Sequence, residues 1–219
     1  MTVLLQGGGE FSPGCQDMDR QLLAVAPGPV VVTSLAAAPG HQYRTTNGEG
    51  VDHFRACGAE DVSGAPDVRE DAPGALAALQ RARVVVLPGG SPARLLTALQ
   101  ETGAGQLLAE LLRAGGAVMG ASAGAMVLGG WTVLPERGLH VVPGLGLVPG
   151  VAVVPHWSGE HGDWLAALAA VPAPPQVLGL PEESGVLLHE GTATAVGQHP
   201  TTVVGGPEVA VGQELPGWG

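Results

Sequence analysis

The sequence contains no lysine: all nine of its cations are arginines, set against twenty acidic residues, for a formal charge of −11 over 219 residues. Such a chain is repelled on average by nucleic-acid backbones and anionic membrane surfaces, so neither is an expected partner. Cysteine is equally scarce. Cys15 and Cys57 are the only two, which is the usage of a reducing compartment with free thiols rather than of a stapled fold. No long apolar run is unbroken. The stretch 114–131 is interrupted by glycines and a serine and reads as a buried strand feeding a helix, not as a membrane span. The first residues show neither the basic start nor the apolar core of a secretory leader, and a cytoplasmic location is expected.

What is abundant is Ala, Gly, Pro, Leu and Val, a compositional bias that strips alanine runs of most of their meaning. The length suits one domain over 1–219 that buries most of its apolar surface without staples. Short apolar runs bounded by Gly and Pro recur at 3–6, 30–34, 83–87 and 117–120, and unbroken β-branched runs are the habit of parallel strands covered on both faces. Helical segments at 17–26, 51–57, 74–81, 93–100 and 105–114 alternate with them. The alternation predicts an α/β fold of three layers around a doubly wound, mostly parallel sheet. Beyond Trp131 the pattern changes to one helix at 163–170 and strands at 151–155, 177–180, 185–189 and 192–196, which predicts a C-terminal β-hairpin region. The tail 207–219 has the composition of a partly disordered segment.

Gly120-Ala121-Ser122-Ala123-Gly124 follows an apolar strand and precedes small and apolar residues able to start a helix. A nucleophilic serine needs this setting: small neighbours allow a strained turn that exposes the hydroxyl, and the N–H of Ala123 points at the oxyanion that develops on attack. Leu87-Pro88-Gly89-Gly90-Ser91-Pro92 ends another strand, and strand ends converge in a doubly wound fold, so the N–H of Gly90 is the second oxyanion donor proposed. Of seven histidines, His156 stands at the tip of the run 151–155 and is preferred as general base, with His161 in reserve. His41, His53 and His140 lie in polar or loop stretches, and His189 and His199 in late hairpins. For the acid that orients the imidazole, Glu182 after the strand 177–180 is preferred over neighbouring Glu183, while Glu160 and Asp163 read as helix-entry carboxylates. No metal site or cofactor is expected: His156-x-x-x-Glu160-His161 lacks zinc-helix spacing, and Gly7-Gly8-Gly9 lacks the residues of a phosphate loop and reads as a close backbone approach beside the site.

In order along the chain, Gly7-Gly8-Gly9-Glu10, Pro88-Gly89-Gly90-Ser91, Gly120-Ala121-Ser122-Ala123-Gly124-Ala125, Gly144-Leu145-Gly146-Leu147, Pro155-His156 and Leu178-Gly179-Leu180-Pro181-Glu182 resemble the peptidase E and cyanophycinase family of serine peptidases. The N-terminal Gly-Gly-Gly-Glu and the stretch 41–62 look closer to the cyanophycinase branch. The resemblance implies a flavodoxin-like fold related to class I glutamine amidotransferases, whose elbow carries cysteine. Ser122 at that position disfavours amidotransfer. It also implies a Ser-His-Glu triad, which falls on Ser122, His156 and Glu182. Peptidase E holds its aspartyl substrate with an arginine after the triad histidine, and cyanophycinases carry arginines there too. This chain has neither Arg nor Lys from Gly138 to Gly219, so strict Asp-X specificity is not expected, because a buried substrate carboxylate would lack a cation. The expected activity is serine exopeptidase action on short peptides of broader or apolar sequence.

Two rivals remain at this level. An esterase of the α/β-hydrolase type shares the elbow but runs Ser, acid, His, and needs His189 or His199 with Asp163 or Glu182. A binding scaffold without turnover is the non-enzyme alternative. The end from which peptides are cut and the oligomeric state, a homo-oligomer included, stay open.

Overall fold

The computed structural model describes residues 1–136 and 138–218. In its first half, strands β1 (Thr2–Gln6), β2 (Val30–Val32), β3 (Val62–Gly64), β4 (Val84–Leu87) and β5 (Ala117–Ala121) alternate with helices α1 (Gln16–Val25), α2 (His41–Ala56), α3 (Ala72–Arg81), α4 (Pro92–Glu101) and α5 (Ala104–Arg113). A short α6 (Ala123–Leu128) follows β5, and then come a hairpin of β6 (Trp131–Leu134) and β7 (His140–Pro143), β8 (Val151–Pro155) and α7 (Gly162–Ala169). The chain ends in β9 (Gln176–Leu180), β10 (Ser184–His189), β11 (Thr192–Gly197), β12 (Thr201–Val203) and β13 (Glu208–Val209).

The main sheet has the order β11-β10-β1-β5-β4-β2-β3, parallel from β1 to β3 and antiparallel where β10 and β11 are added. The inner strands β1, β2, β4 and β5 are buried on both faces, as their unbroken apolar runs require. Val3, Leu5, Val31, Val85 and Val118 point into the layer built on α3 to α6. Leu4, Val30, Val32, Val84 and Met119 point into the layer of α1 and α2. The three-layer, doubly wound α/β architecture expected from the alternation is thus the observed one. The stretch 114–131 is a strand feeding a helix, and among the described residues no helix is long and apolar enough to cross a membrane.

Three features differ from expectation. First, α2 starts at His41, ten residues before the predicted start. Its buried residues are Tyr43, Asn47, Gly50, His53 and Phe54, so three of the five are polar or glycine and give no apolar periodicity. Asn47 pins the stripe in place, accepting from Ser34 N–H at 2.9 Å and donating to Ala65 O at 2.9 Å. Second, β8 and β9 do not form part of a hairpin. They pair in parallel and form a separate sheet of order β13-β12-β9-β8. Third, the tail from Pro207 is held over its described residues: Glu208 and Val209 pair with β12, and Leu215 is 3 % exposed with its N–H on Ala193 O at 2.7 Å. Two apolar anchors suffice to order a Gly- and Pro-rich segment. Gly219 lies outside the described residues.

Helix α6 presses on β4 and β5 because the elbow glycines have no side chain to prevent it. A Cβ on Gly124 would fall on the carbonyl oxygen of Leu87, and one on Gly120 would meet the Gly124 backbone. Alanine in a helix ordinarily gains about 0.5–1 kcal/mol over glycine. Here the obstacle is backbone, so overpacking of about 1–3 kcal/mol or more dominates. Gly124→Ala is therefore expected to lower the urea midpoint, while an unchanged midpoint would show that the α6 contact is loose.

Candidate active site

The C-terminal end of β1 gathers the site. Gln6 O accepts from Ser122 N–H at 2.9 Å, Gly7 O from His156 N–H at 2.9 Å, and Gly8 O from Glu183 N–H at 2.8 Å. The turns after β5, β8 and β9 thus all hang on three consecutive carbonyls. Glycine is required at 7 and 8, where a Cβ would run into the Pro181 carbonyl and the His156 imidazole respectively. This is the close backbone approach expected of the Gly-Gly-Gly run.

Ser122 occupies the turn between β5 and α6 at φ 48°, ψ −110°, a region that L-residues rarely enter. His156 and Glu183 also have positive φ, at 52° and 54°. Backbone strain of about 1–3 kcal/mol per residue persists only where surroundings over-determine it, and here it is concentrated at the ends of three strands. The Ser122 hydroxyl lies 2.9 Å from Nε2 of His156, and Nδ1 of the same ring lies 3.1 Å from Oε1 of Glu182. Serine, imidazole and carboxylate form a continuous chain, the arrangement that lets a base take a hydroxyl proton while a carboxylate fixes its tautomer.

The remaining candidates are placed elsewhere. Glu183 accepts from the Ser12 hydroxyl at 2.6 Å. His161 stacks on Trp157 with ring centroids 5.4 Å apart, and Asp163 falls in the first turn of α7, where a carboxylate is favoured by the helix dipole. His189 contacts the Thr2 hydroxyl at 3.0 Å, so the Ser, acid, His order of an esterase finds no support in the geometry around Ser122. Ala123 is the first residue of α6 and is buried, and Gly90, at φ 136°, packs its α-carbon under the carbonyl of Ala36.

One residue at the site was not singled out for a role from sequence. The Glu10 carboxylate accepts from Gly89 N–H at 2.6 Å, and the Gly89 α-carbon faces the Ser122 β-carbon. A carboxylate directly after the glycine run at the end of β1 was the available signal. A second group also went unread. His53, within the helix expected at 51–57, is buried on α2 against Asp19 and Cys57. Cys15, by contrast, is a core thiol pushed up to about 12 by burial, with its hydrogen on Gly9 O at 3.1 Å.

The sequence profile of peptidase family S51 matches residues 49–196, a span that includes Ser122, His156 and Glu182. No curated protein matches the sequence. Among solved structures, a peptidase from an acI-B1 Actinobacterium superposes with a TM-score of 0.82 at 22% identity, covering 98% of this chain and 96% of that one. A candidate peptidase E protein from Listeria monocytogenes EGD-e gives a TM-score of 0.65 at 15% identity, covering 90% of this chain and 98% of that one. At these identities the two structures establish the fold, and the profile establishes the family: the chain belongs to peptidase family S51, the peptidase E family, and is a serine peptidase.

Proposed function

We propose that the protein is a serine exopeptidase acting on short peptides, with Ser122 as nucleophile, His156 as general base and Glu182 as the carboxylate that orients it. The observation that carries this reading is the Ser122–His156–Glu182 chain of contacts at 2.9 and 3.1 Å on a strained elbow. With its proton on Nδ1, His156 donates to Glu182 and offers the Nε2 lone pair to Ser122. The Ser122 oxygen attacks the scissile carbonyl as Nε2 takes its proton, and the tetrahedral oxyanion is held by the N–H groups of Gly90 and Ala123. His156 then hands the proton to the leaving amine, and the acyl-enzyme is hydrolysed by water that His156 activates in turn.

Charge at the site argues for the amino end of the peptide. The carboxylate of Glu10 sits beside the nucleophile, and no Lys or Arg occurs from Gly138 onward. Arg94, in the first turn after the Gly89-Gly90 corner, donates to Ala36 O at 2.6 Å. A carboxylate at that place attracts an α-ammonium group and repels a terminal carboxylate. Side chains at the first substrate position are then selected by size rather than by negative charge.

The test is a set of di- to hexapeptides with free and N-acetylated ends, read by mass spectrometry against the Ser122→Ala variant. Ser122-dependent shortening from the amino end, with Ala-Leu and Leu-Leu cleaved at least as well as Asp-Leu and the acetylated forms spared, is expected. Efficient turnover of Asp-Leu with little of the other two would remove the specificity reading. Equal cleavage of acetylated peptides would remove the amino-end reading.

A further inference from the structure

The layer of α1 and α2 buries a carboxylate, an imidazole and a thiol against one another. Asp19, His53 and Cys57 are 0, 6 and 7% exposed. His53 on α2 and Cys57, the residue that caps its C-terminus, are one helical turn apart and share a face, and Asp19 reaches them from α1. Nε2 of His53 lies 2.7 Å from Oδ2 of Asp19 and 3.5 Å from Sγ of Cys57, so one ring nitrogen serves both neighbours. One donor atom from each residue lies within 4.8 Å of the others. The second Asp19 oxygen, Oδ1, is buried with no hydrogen-bond partner among the described residues. A buried carboxylate costs several kcal/mol unless both its charge and its lone pairs are met, and the contact with His53 meets only part of that demand.

We infer that Asp19, His53 and Cys57 form a binding site for one zinc-type divalent transition-metal ion, separate from the Ser122 site. Oxygen, nitrogen and thiolate are the donors that zinc takes. With Zn–N at about 2.0–2.1 Å and Zn–S at about 2.3 Å, a tetrahedral shell sets nitrogen and sulfur about 3.5 Å apart. His53 Nε2 and Cys57 Sγ already stand at that separation. Asp19 is closer to the ring because a proton, not a metal, lies between them, and exchange of one for the other asks for roughly 0.6 Å of separation. Binding releases that proton and the Cys57 thiol proton to solvent, with no change of oxidation state. A surface cleft lined by Gly9, Phe11, Ser12, Gln16, Asp52 and His53 borders the cluster on its His53 side. The ion braces α1 to α2 beneath the loop that carries Glu10, because the ring of Phe11 packs on His53 with centroids 5.5 Å apart.

Burial works to lower the His53 imidazolium, but the hydrogen bonds and charges of Asp19 and Cys57 outweigh it and lift the group to about 9, while burial pushes Asp19 up.

The experiment is titration of the chelator-stripped full chain with Co²⁺, an optical surrogate for zinc. One equivalent is expected to bind, with a thiolate-to-cobalt charge-transfer band in the near ultraviolet that zinc abolishes by competition. Cys57→Ser removes the band, Asp19→Asn weakens binding by more than about tenfold, the loss seen when even an outer-shell partner is removed, and Cys15→Ser changes neither. Zinc-dependent protection of Cys57 from alkylation in the wild-type chain, read by mass spectrometry, needs no variant and stands even where a substitution fails to fold. Absence of the band and of protection, or a band that survives Cys57→Ser, overturns the inference.

Discussion

Ser122→Ala is expected to lower kcat by about 10⁴-fold or more on any peptide the wild type cleaves, with little change in stability. The catalytic part follows from chemistry: without Oγ there is nothing to form the acyl-enzyme, and His156 and the N–H groups of Gly90 and Ala123 can only assist water. The stability part follows from the backbone. Ser122 holds φ 48°, ψ −110°, and alanine, which also carries a Cβ, experiences the same strain. Glycine does not, so Ser122→Gly is expected to abolish turnover and raise stability at once, by about 1–3 kcal/mol of relieved strain less the roughly 0.5–1 kcal/mol that glycine gives back in the unfolded chain. Single-turnover kinetics and urea midpoints on both variants test the two halves separately. Turnover of Ser122→Ala within tenfold of wild type would dismiss Ser122 as nucleophile. A glycine variant less stable than the alanine one by about 0.5–1 kcal/mol would show that the turn is not strained.

The second large effect separates two adjacent carboxylates. Glu182→Gln is expected to reduce kcat by about 10²–10⁴-fold, because an amide that donates to Nδ1 stabilises the wrong tautomer and gives no charge to balance the imidazolium. The lower part of that range is favoured by solvent: the His156 and Glu182 side chains are 50% and 65% exposed, so water screens their interaction. Glu183→Gln changes kcat by less than about tenfold, since its carboxylate is tied to the Ser12 hydroxyl. Steady-state kinetics from pH 5 to 9 on both variants decide the assignment, and a reversed order of effects would move the triad acid to Glu183.

Much of the site was legible because its residues stand where strands end. Ser122 follows the apolar run of β5, His156 follows that of β8, and Glu182 follows β9, so tracing each strand to its tip also located the side chain. The β-branched runs announced the main sheet for the same reason, since burial on both faces leaves a continuous apolar signature. The losses have physical causes too. The stripe Tyr43, Asn47, Gly50, His53 and Phe54 buries α2 through hydrogen bonds and missing side chains rather than apolar bulk. The separate sheet of β8 and β9 is a matter of long-range pairing, and its strands read like any others. Asp19 and His53 are 34 residues apart, and only the packing of α1 on α2 makes them neighbours. Glu10 had a motif around it but no partner in view until Gly89 was placed.

Strand β1 lies between β5 and β10, with Gln6 aligned to Ala121 on one side and to Gly185 on the other. Strand β1 therefore waits for a strand far later in the sequence to complete its hydrogen bonds. A nascent chain that has reached residue 150 carries Ser122 and both glycine turns but neither His156 nor Glu182, and the edge of β1 that β10 will cover is still bare. On the proposed triad, a chain that stops before β8 has the nucleophile but neither its base nor its acid, and activity is expected only once the final third is in place.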